Sequence, residues 1–351
     1  MRNMTRVDWR RDLFGGPLRT AATVLLALLA AWALWHLLRW GVADAVFRAD
    51  AEACRAARGA CWGVVAEKWR PIVFGRYPYE GQWRPAIAAT LLAAVTLLSA
   101  WPRAWKPWLA LAWLLAVAVG GVLMHGGVLG LPPVPTAQWG GLPLTIGLAV
   151  AGLALAFPLA LLLALGRRSR LPVARTLAAT YVELVRGVPL ISVLFTASFL
   201  LPLLWPSGWR PDVLMRVLIG LVLFVAAYLA EVIRGGLQAV PRGQVDAAMA
   251  LGFSRWSVQL NIVLPQALRL TVPAIVNVVV GTLKDTSLVT VVGLFELTGA
   301  LGLALGGDPV WRAFYLEGYL FIGLLYWVLC YGLARYGRWL EGRLAPQAVL
   351  G

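Results

Sequence analysis

Gln244-Val-Asp-Ala-Ala-Met-Ala-Leu-Gly-Phe-Ser-Arg-Trp-Ser-Val-Gln-Leu-Asn-Ile-Val-Leu-Pro265 is set between two long apolar runs. Pro241-Arg242-Gly243, just before it, reads as a turn. A short helix follows, with Asp246 expected in its first turn, where a carboxylate meets the positive end of the helix dipole. Ala247, Ala248 and Ala250 are strong helix formers with small side chains. Gly252 can take the left-handed conformation that ends a helix, and Ser254 can cap a second one. Pro265 is expected to bound that second helix and lead into the next apolar run. The product is a compact two-helix elbow with an Ala-rich surface, a shape that suits the cleft of a partner protein. Any one of these features alone would fit a plain amphipathic loop.

The elbow interrupts a very apolar chain. Of 351 residues, 60% are hydrophobic and 13% are charged, against about 25% charged in an ordinary soluble domain. Mean hydropathy is +0.77. So few polar side chains could not cover a soluble surface, which excludes a cytosolic globular enzyme, a disordered chain and a small disulfide scaffold. Lys plus Arg is 31 and Asp plus Glu is 16, a net charge of +15. In a soluble protein that excess would point to nucleic acid. In an apolar chain it points to basic residues gathered in cytoplasmic loops, and no nucleic-acid partner is expected. The three Cys and two His show no metal-ligand spacing, so neither a metal nor a cofactor is expected.

The fold class is therefore an all-α polytopic membrane protein. A crossing helix needs ~20 mostly apolar residues for ~30 Å of hydrocarbon. Eight candidate spans fit, at about 18–38, 86–102, 107–125, 143–165, 187–205, 213–233, 270–305 and 314–334. The first is longer than a signal-peptide core, so it reads as an uncleaved span. The seventh holds Lys284-Asp285 and Glu296, and is expected to be one crossing interrupted at Lys284-Asp285, or a re-entrant one. Arg2, Arg6, Arg10, Arg11 and Arg19 put the N-terminus in the cytoplasm, and an even span count returns Arg335, Arg338, Arg343 and the tail 341–351 to the same side. Trp32, Trp35, Trp40, Trp101, Trp105, Trp108, Trp205, Trp209, Trp311 and Trp339 sit at span ends, as an interfacial aromatic belt would. The loop 41–85 should be outside, yet it is rich in Arg and Lys, against the charge rule.

The spacing Asp-Ala-Ala, three residues, Gly, nine residues, Ile-Val-Leu-Pro resembles the EAA loop of binding-protein-dependent ABC-importer permeases. Asp246 stands where the family usually has Glu, and Ala247, Ala248, Gly252, Ile262, Leu264 and Pro265 match in register. The resemblance implies that residues 241–265 form the coupling loop, which docks on an ATPase subunit and passes ATPase closure to the membrane domain. None of the three Lys follows a Gly, so no phosphate-binding loop is present and the ATPase would be a separate dimer. Tyr181-Val-Glu-Leu-Val-Arg-Gly-Val-Pro-Leu190 and Leu283-Lys-Asp-Thr-Ser-Leu288 look like segments of the polar amino-acid branch. The extension over 1–140, with Cys61-Trp-Gly and Gln82-Trp-Arg-Pro85, is similar to the long M-type permease of general L-amino-acid importers. The resemblance thus implies a type-1 permease domain of five helices over 141–340, preceded by three extra spans.

Several residues could serve the translocation path. Glu183 and Arg186, three apart, share a helical face and read as a gating ion pair or as an interfacial pair of little consequence. Ionisable groups within a membrane cost about 2.5–3.5 kcal/mol on insertion scales, which marks Lys284, Asp285 and Glu296 as candidates to meet a zwitterionic amino acid. A Lys284–Asp285 pair at the outer interface is the alternative. Cys54 and Cys61, with six residues between them, read as a disulfide in an oxidising compartment or as two free thiols. Beyond the ATPase dimer, the resemblance implies a second permease subunit, as a heterodimer, a periplasmic solute-binding protein, and a place in the bacterial inner membrane. The function it implies is amino-acid import by alternating access, without enzymatic activity in this chain. Alternatives are the same architecture carrying another small solute, or a channel, which would not need the elbow.

Overall fold

The computed structural model describes residues 13–204 and 211–344. Arg2, Arg6, Arg10, Arg11, Trp205, Trp209 and the end of the predicted tail from 345 onward lie outside the described residues. Among the described residues almost all regular structure is helical, with only isolated bridges of extended chain. The chain forms two compact units, one reaching to Trp69 and including Pro309–Gly318, the other comprising Arg70–Asp308 and the chain from Tyr319 onward.

In the first unit, α1 (Pro17–Leu38) starts on a Pro in its first turn and widens into a π-turn over Arg39–Ala43. None of its residues is buried, as an apolar helix bathed in lipid requires. The basic segment that follows is folded rather than an open loop. Asp50 caps α2 (Ala51–Ala56) by accepting the Glu52 and Ala53 N–H groups, both at 3.0 Å. Val46 N–H donates to Ala60 O at 2.8 Å, and Trp62 Nε1 donates to Gly41 O at 2.7 Å. Cys54 and Cys61 are bonded, with Cα atoms 5.3 Å apart. Glu317 is buried and accepts the Cys61 N–H at 2.9 Å, while Arg55 donates to Val310 O at 3.2 Å. Arg55, one of the basic residues of the 41–85 loop, thus has local structural work. Alkylation of the unreduced protein should label Cys330 and spare Cys54 and Cys61. Labelling of all three would refute the bond.

The second unit contains α3 (Gly63–Phe74) from Arg70 on, then α4 (Trp83–Ser99) and α5 (Pro107–His125), which pair as a hairpin. Arg84 is buried at the base of α4 and donates to Leu123 O at 2.6 Å and Pro132 O at 2.9 Å. The Leu123 carbonyl belongs to the negative end of α5, where a cation is stabilised. Tyr77 donates to Met124 O at 2.9 Å, and burial pushes its hydroxyl pKa up, against the opposing pull of Arg84.

The centre of this unit is α6 (Gly141–Arg167) against α9 (Val213–Ala239). Gly152, Ala156, Ala160 and Ala164, one per turn, are all buried. Small residues at this spacing let two backbones approach closely, which replaces the missing hydrophobic drive inside a bilayer. The approach at Gly152 is close enough that an added Cβ would lie 2.9 Å from Leu221 Cδ2. Around this pair lie α7 (Pro172–Arg186) and α8 (Leu190–Phe195), the latter continued by tighter and wider turns to Leu203. After α9 come α10 (Arg242–Ala250), α11 (Arg255–Val258), α12 (Leu264–Asp285), α13 (Leu297–Gly306) and α14 (Tyr315–Leu344).

Among the described residues, six helices are long and apolar enough to cross a bilayer, or seven if the pair Pro172–Arg186 and Leu190–Leu203, bent by 108°, counts as one span. Eight were expected. The shortfall lies at 86–102, where α4 has only 17 residues, about 25 Å of helix. Trp101 precedes Pro102 and is pushed into extended geometry, which ends the helix early.

The expected interruption at Lys284-Asp285 is absent. Helical structure runs through Arg255–Val292 without a break and stops at Gly293, whose φ of 91° is left-handed. Lys284 is exposed and Asp285 half-buried, so both charges sit on the side of a helix whose backbone bonding they do not disturb. Nor does Pro265 bound a helix. It lies in the first turn of α12, after a π-turn over Gln259–Val263 whose wider ring takes Leu264 N–H back to Gln259 O.

Candidate functional site

The elbow is built by α10, Gly252 and α11. The structure places Asp246 in the second turn of α10, not the first, because the helix already begins at Arg242, after Pro241. Its carboxylate therefore does not cap the helix and is exposed to solvent. Gly252 has φ 85° and closes α10. Phe253 N–H donates to Ala248 O at 3.2 Å and Gly252 N–H to Met249 O at 3.0 Å, the paired bonds of a Schellman cap. Ser254 Oγ then accepts the Ser257 N–H at 3.2 Å and starts α11. Gln266 Nε2 donates to Gln244 Oε1 at 2.6 Å, which ties the elbow to α12.

The seven motif positions divide by direction. Ala248 and Leu264 are buried in the main core, and Ile262 packs against it. Asp246, Ala247, Gly252 and Pro265 face outward. Between them stand apolar side chains that reading the motif alone passes over. Met249, Leu251, Phe253 and Trp256 are all exposed, Leu251 at 78%. The signal for them in the sequence is apolar residues filling the variable positions of a polar-face helix. Together they give the elbow an apolar outer surface ringed by Asp246 and Arg255.

Glu183 and Arg186 do not pair with each other among the described residues. Glu183 accepts from Arg167 at 3.1 Å, and Arg186 reaches Glu231 at 3.5 Å. Glu231 is the hub, since Arg167 donates to it at 2.7 Å and Arg234 forms a two-point pair with it. Three helices, α6, α7 and α9, are joined through this one carboxylate. Glu231 and Arg234 escape a search for isolated intramembrane charges because they lie near the end of a long apolar run, where charges look interfacial.

Lys284 lies on an exposed face of α12 together with Leu270 and Asn277, each seven residues from the next. Gly281 opens space on the same side, with nothing within 4 Å of where a Cβ would sit. Glu296 is placed otherwise. It is fully buried and is the N-cap of α13, accepting Thr298 N–H at 2.9 Å and Gly299 N–H at 3.1 Å. Tyr326 OH donates to it at 2.7 Å, Thr290 Oγ1 at 3.0 Å and Thr145 Oγ1 at 3.3 Å. Next to it, Gly141 N–H donates to Phe295 O at 3.0 Å and Leu297 N–H to Thr145 Oγ1 at 3.1 Å, which clamps the start of α6 to this loop. Among the described residues, no group of three or more His, Cys, Asp or Glu is placed to hold a metal.

Residues 156–346 match the family described as binding-protein-dependent transport system inner membrane component. The chain belongs to that family. The permease is thus a multi-pass component of the inner membrane. It is 40% identical over 344 residues to the inner membrane amino-acid ABC transporter permease protein YhdY of Escherichia coli, covering 95% of the permease and 91% of that relative. It is 36% identical over 406 residues to the glutamate/glutamine/aspartate/asparagine transport system permease protein BztC of Rhodobacter capsulatus, covering 96% and 93%. Among solved structures it resembles a chain from a crystal structure of an amino acid ABC transporter with histidines, with TM-score 0.52 and 28% identity over 58% of the permease and 92% of that chain.

Proposed function

We propose that the permease imports L-amino acids by alternating access, as one of two unlike membrane subunits that share an ATPase dimer and receive substrate from a periplasmic solute-binding protein. The observation that carries this reading is the elbow itself, a rigid helix–Gly252–helix unit with an exposed apolar surface and inward anchors at Ala248 and Leu264. A channel has no use for such a surface. ATP hydrolysis then belongs to the separate subunits, and the elbow transmits their closure. Both chain termini lie on the cytoplasmic side in this reading, in keeping with the basic residues there. Likeness to amino-acid permeases over nearly the whole chain supports the substrate class.

Lys284, exposed on one face with Asn277, is the group best placed on the chain to meet a substrate carboxylate. Asp285, half-buried beside it, sets the local charge. Glu183 and Arg186 act at the gate through the Glu231 hub, since any rotation of α7 against α6 and α9 must break ion pairs there. The test is uptake of labelled L-glutamine and L-glutamate by vesicles holding the assembled importer. Lys284→Ala should lower uptake by at least tenfold, an effect of about 1.4 kcal/mol, with ATPase subunits still bound. Normal uptake by this variant removes Lys284 from the path, and wild-type vesicles that move neither substrate overturn the amino-acid reading.

A further inference from the structure

A cavity of about 410 Å³ opens where α6 ends, α7 begins and the last turns of α9 pass. Four arginines and one glutamate line it. Arg167 and Arg234 are engaged by Glu231. Arg168 gives one N–H to Leu237 O at 2.6 Å. The side chains of Arg175, Thr176, Thr180 and Gln238 also line the cavity and have no hydrogen-bond partner among the described residues. The site therefore holds unused donors and an excess of positive charge even when Glu231 is counted against it.

The helix that supplies much of this lining is amphipathic. Val173, Leu177 and Leu184 are exposed on one side of α7, and Arg175, Thr176 and Thr180 reach the cavity. The 108° bend to the next segment turns α7 close to the membrane plane if that segment crosses. An in-plane helix with an apolar face, next to a basic pocket between spans, has the two features needed to hold a charged headgroup and its chains. Arg234 and Gln238 lie in the last two turns before the elbow, so the cavity is at the elbow's end of α9.

We propose that this groove binds the phosphoryl headgroup of an anionic phospholipid, with Arg168 and Arg175 as its principal cationic contacts and Thr176, Thr180 and Gln238 as neutral donors. The acyl chains lie along Val173, Leu177 and Leu184. Assigning the site to the cytoplasmic leaflet rests on the proposed docking of the elbow; the binding itself does not, and the assay below reads it on either face.

The full permease is purified and placed in nanodiscs of phosphatidylcholine alone or of phosphatidylcholine and phosphatidylglycerol in equal parts. Lipid retained after mild delipidation is measured by native mass spectrometry. The wild type should retain phosphatidylglycerol over phosphatidylcholine by roughly tenfold. Arg168→Gln with Arg175→Gln should lose that preference, and Arg168→Lys with Arg175→Lys should keep most of it, which separates charge from folding. A parallel arm adds inorganic phosphate to the lipid-free protein in detergent and follows the unfolding temperature, which should not rise. Equal retention of the two lipids by the wild type overturns the proposal, as does an unchanged preference in the Gln variant. A phosphate-dependent rise without lipid preference reassigns the groove to a soluble phosphoryl anion and overturns the lipid.

Discussion

Gly252→Asp is expected to abolish substrate uptake and to release the ATPase subunits, while the permease itself still folds. Gly252 sits at φ 85°, where an L side chain costs about 1–2 kcal/mol. Nothing lies within 4 Å of its would-be Cβ, so the new side chain projects outward instead of clashing. The strain loosens the Schellman bonds of Phe253 and Gly252 that set the angle between α10 and α11. The added carboxylate also stands among Met249, Leu251 and Phe253, where docking must remove water from the surface. Gly252→Asn separates the two causes, since Asn tolerates left-handed geometry and carries no charge. Co-purification of the ATPase and vesicle uptake are the measurements. A Gly252→Asp importer that stays assembled and transports at the normal rate would remove the elbow from coupling.

Glu296→Ala should act on folding before it acts on transport. The substitution removes the cap of α13, worth about 1 kcal/mol. It also removes the carboxylate to which Tyr326 OH and Thr290 Oγ1 donate, at about 1–3 kcal/mol for each buried donor left unsatisfied, while Thr145 Oγ1 keeps the Gly141 carbonyl at 3.1 Å. A total of several kcal/mol is a large part of a typical folding stability of ~5–15 kcal/mol. The expected result is a lower yield of monodisperse protein and a lower unfolding temperature in detergent. Glu296→Gln should fall between, because an amide keeps one acceptor for the helix N–H groups but turns a donor toward the remaining hydroxyls. Lost uptake with an unchanged unfolding temperature in Glu296→Ala would return this residue to the substrate path, where the cost of an intramembrane charge had first put it.

These two residues differ in how far the sequence could carry them. Gly252 was legible because a helix C-terminus is local chemistry: the residue after the last helical position must tolerate positive φ, and Gly does so at least cost. Ser254 as a cap follows from the same short-range logic. Glu296 was legible as an anomaly, an acid in an apolar run, but not as a cap. Its partners Thr145 and Tyr326 are 151 and 30 residues away in the chain. Asp246 shows the limit of local reasoning, since a helix that begins a few residues earlier than expected moves a first-turn acid out of reach of the free N–H groups.

The sequence by itself determined the class of the protein, the apolar runs and the elbow, because hydropathy and backbone preference act between neighbours. The tertiary structure decided which charges meet. Glu183 turned to Arg167 and Arg186 to Glu231, across three helices, although the two had seemed made for each other at a spacing of three. It also decided where the long helix after the elbow stops, at Gly293 and not at Lys284-Asp285. In a medium with little water, a charge is held by whichever partner packing brings near it, and packing depends on residues far apart in the chain.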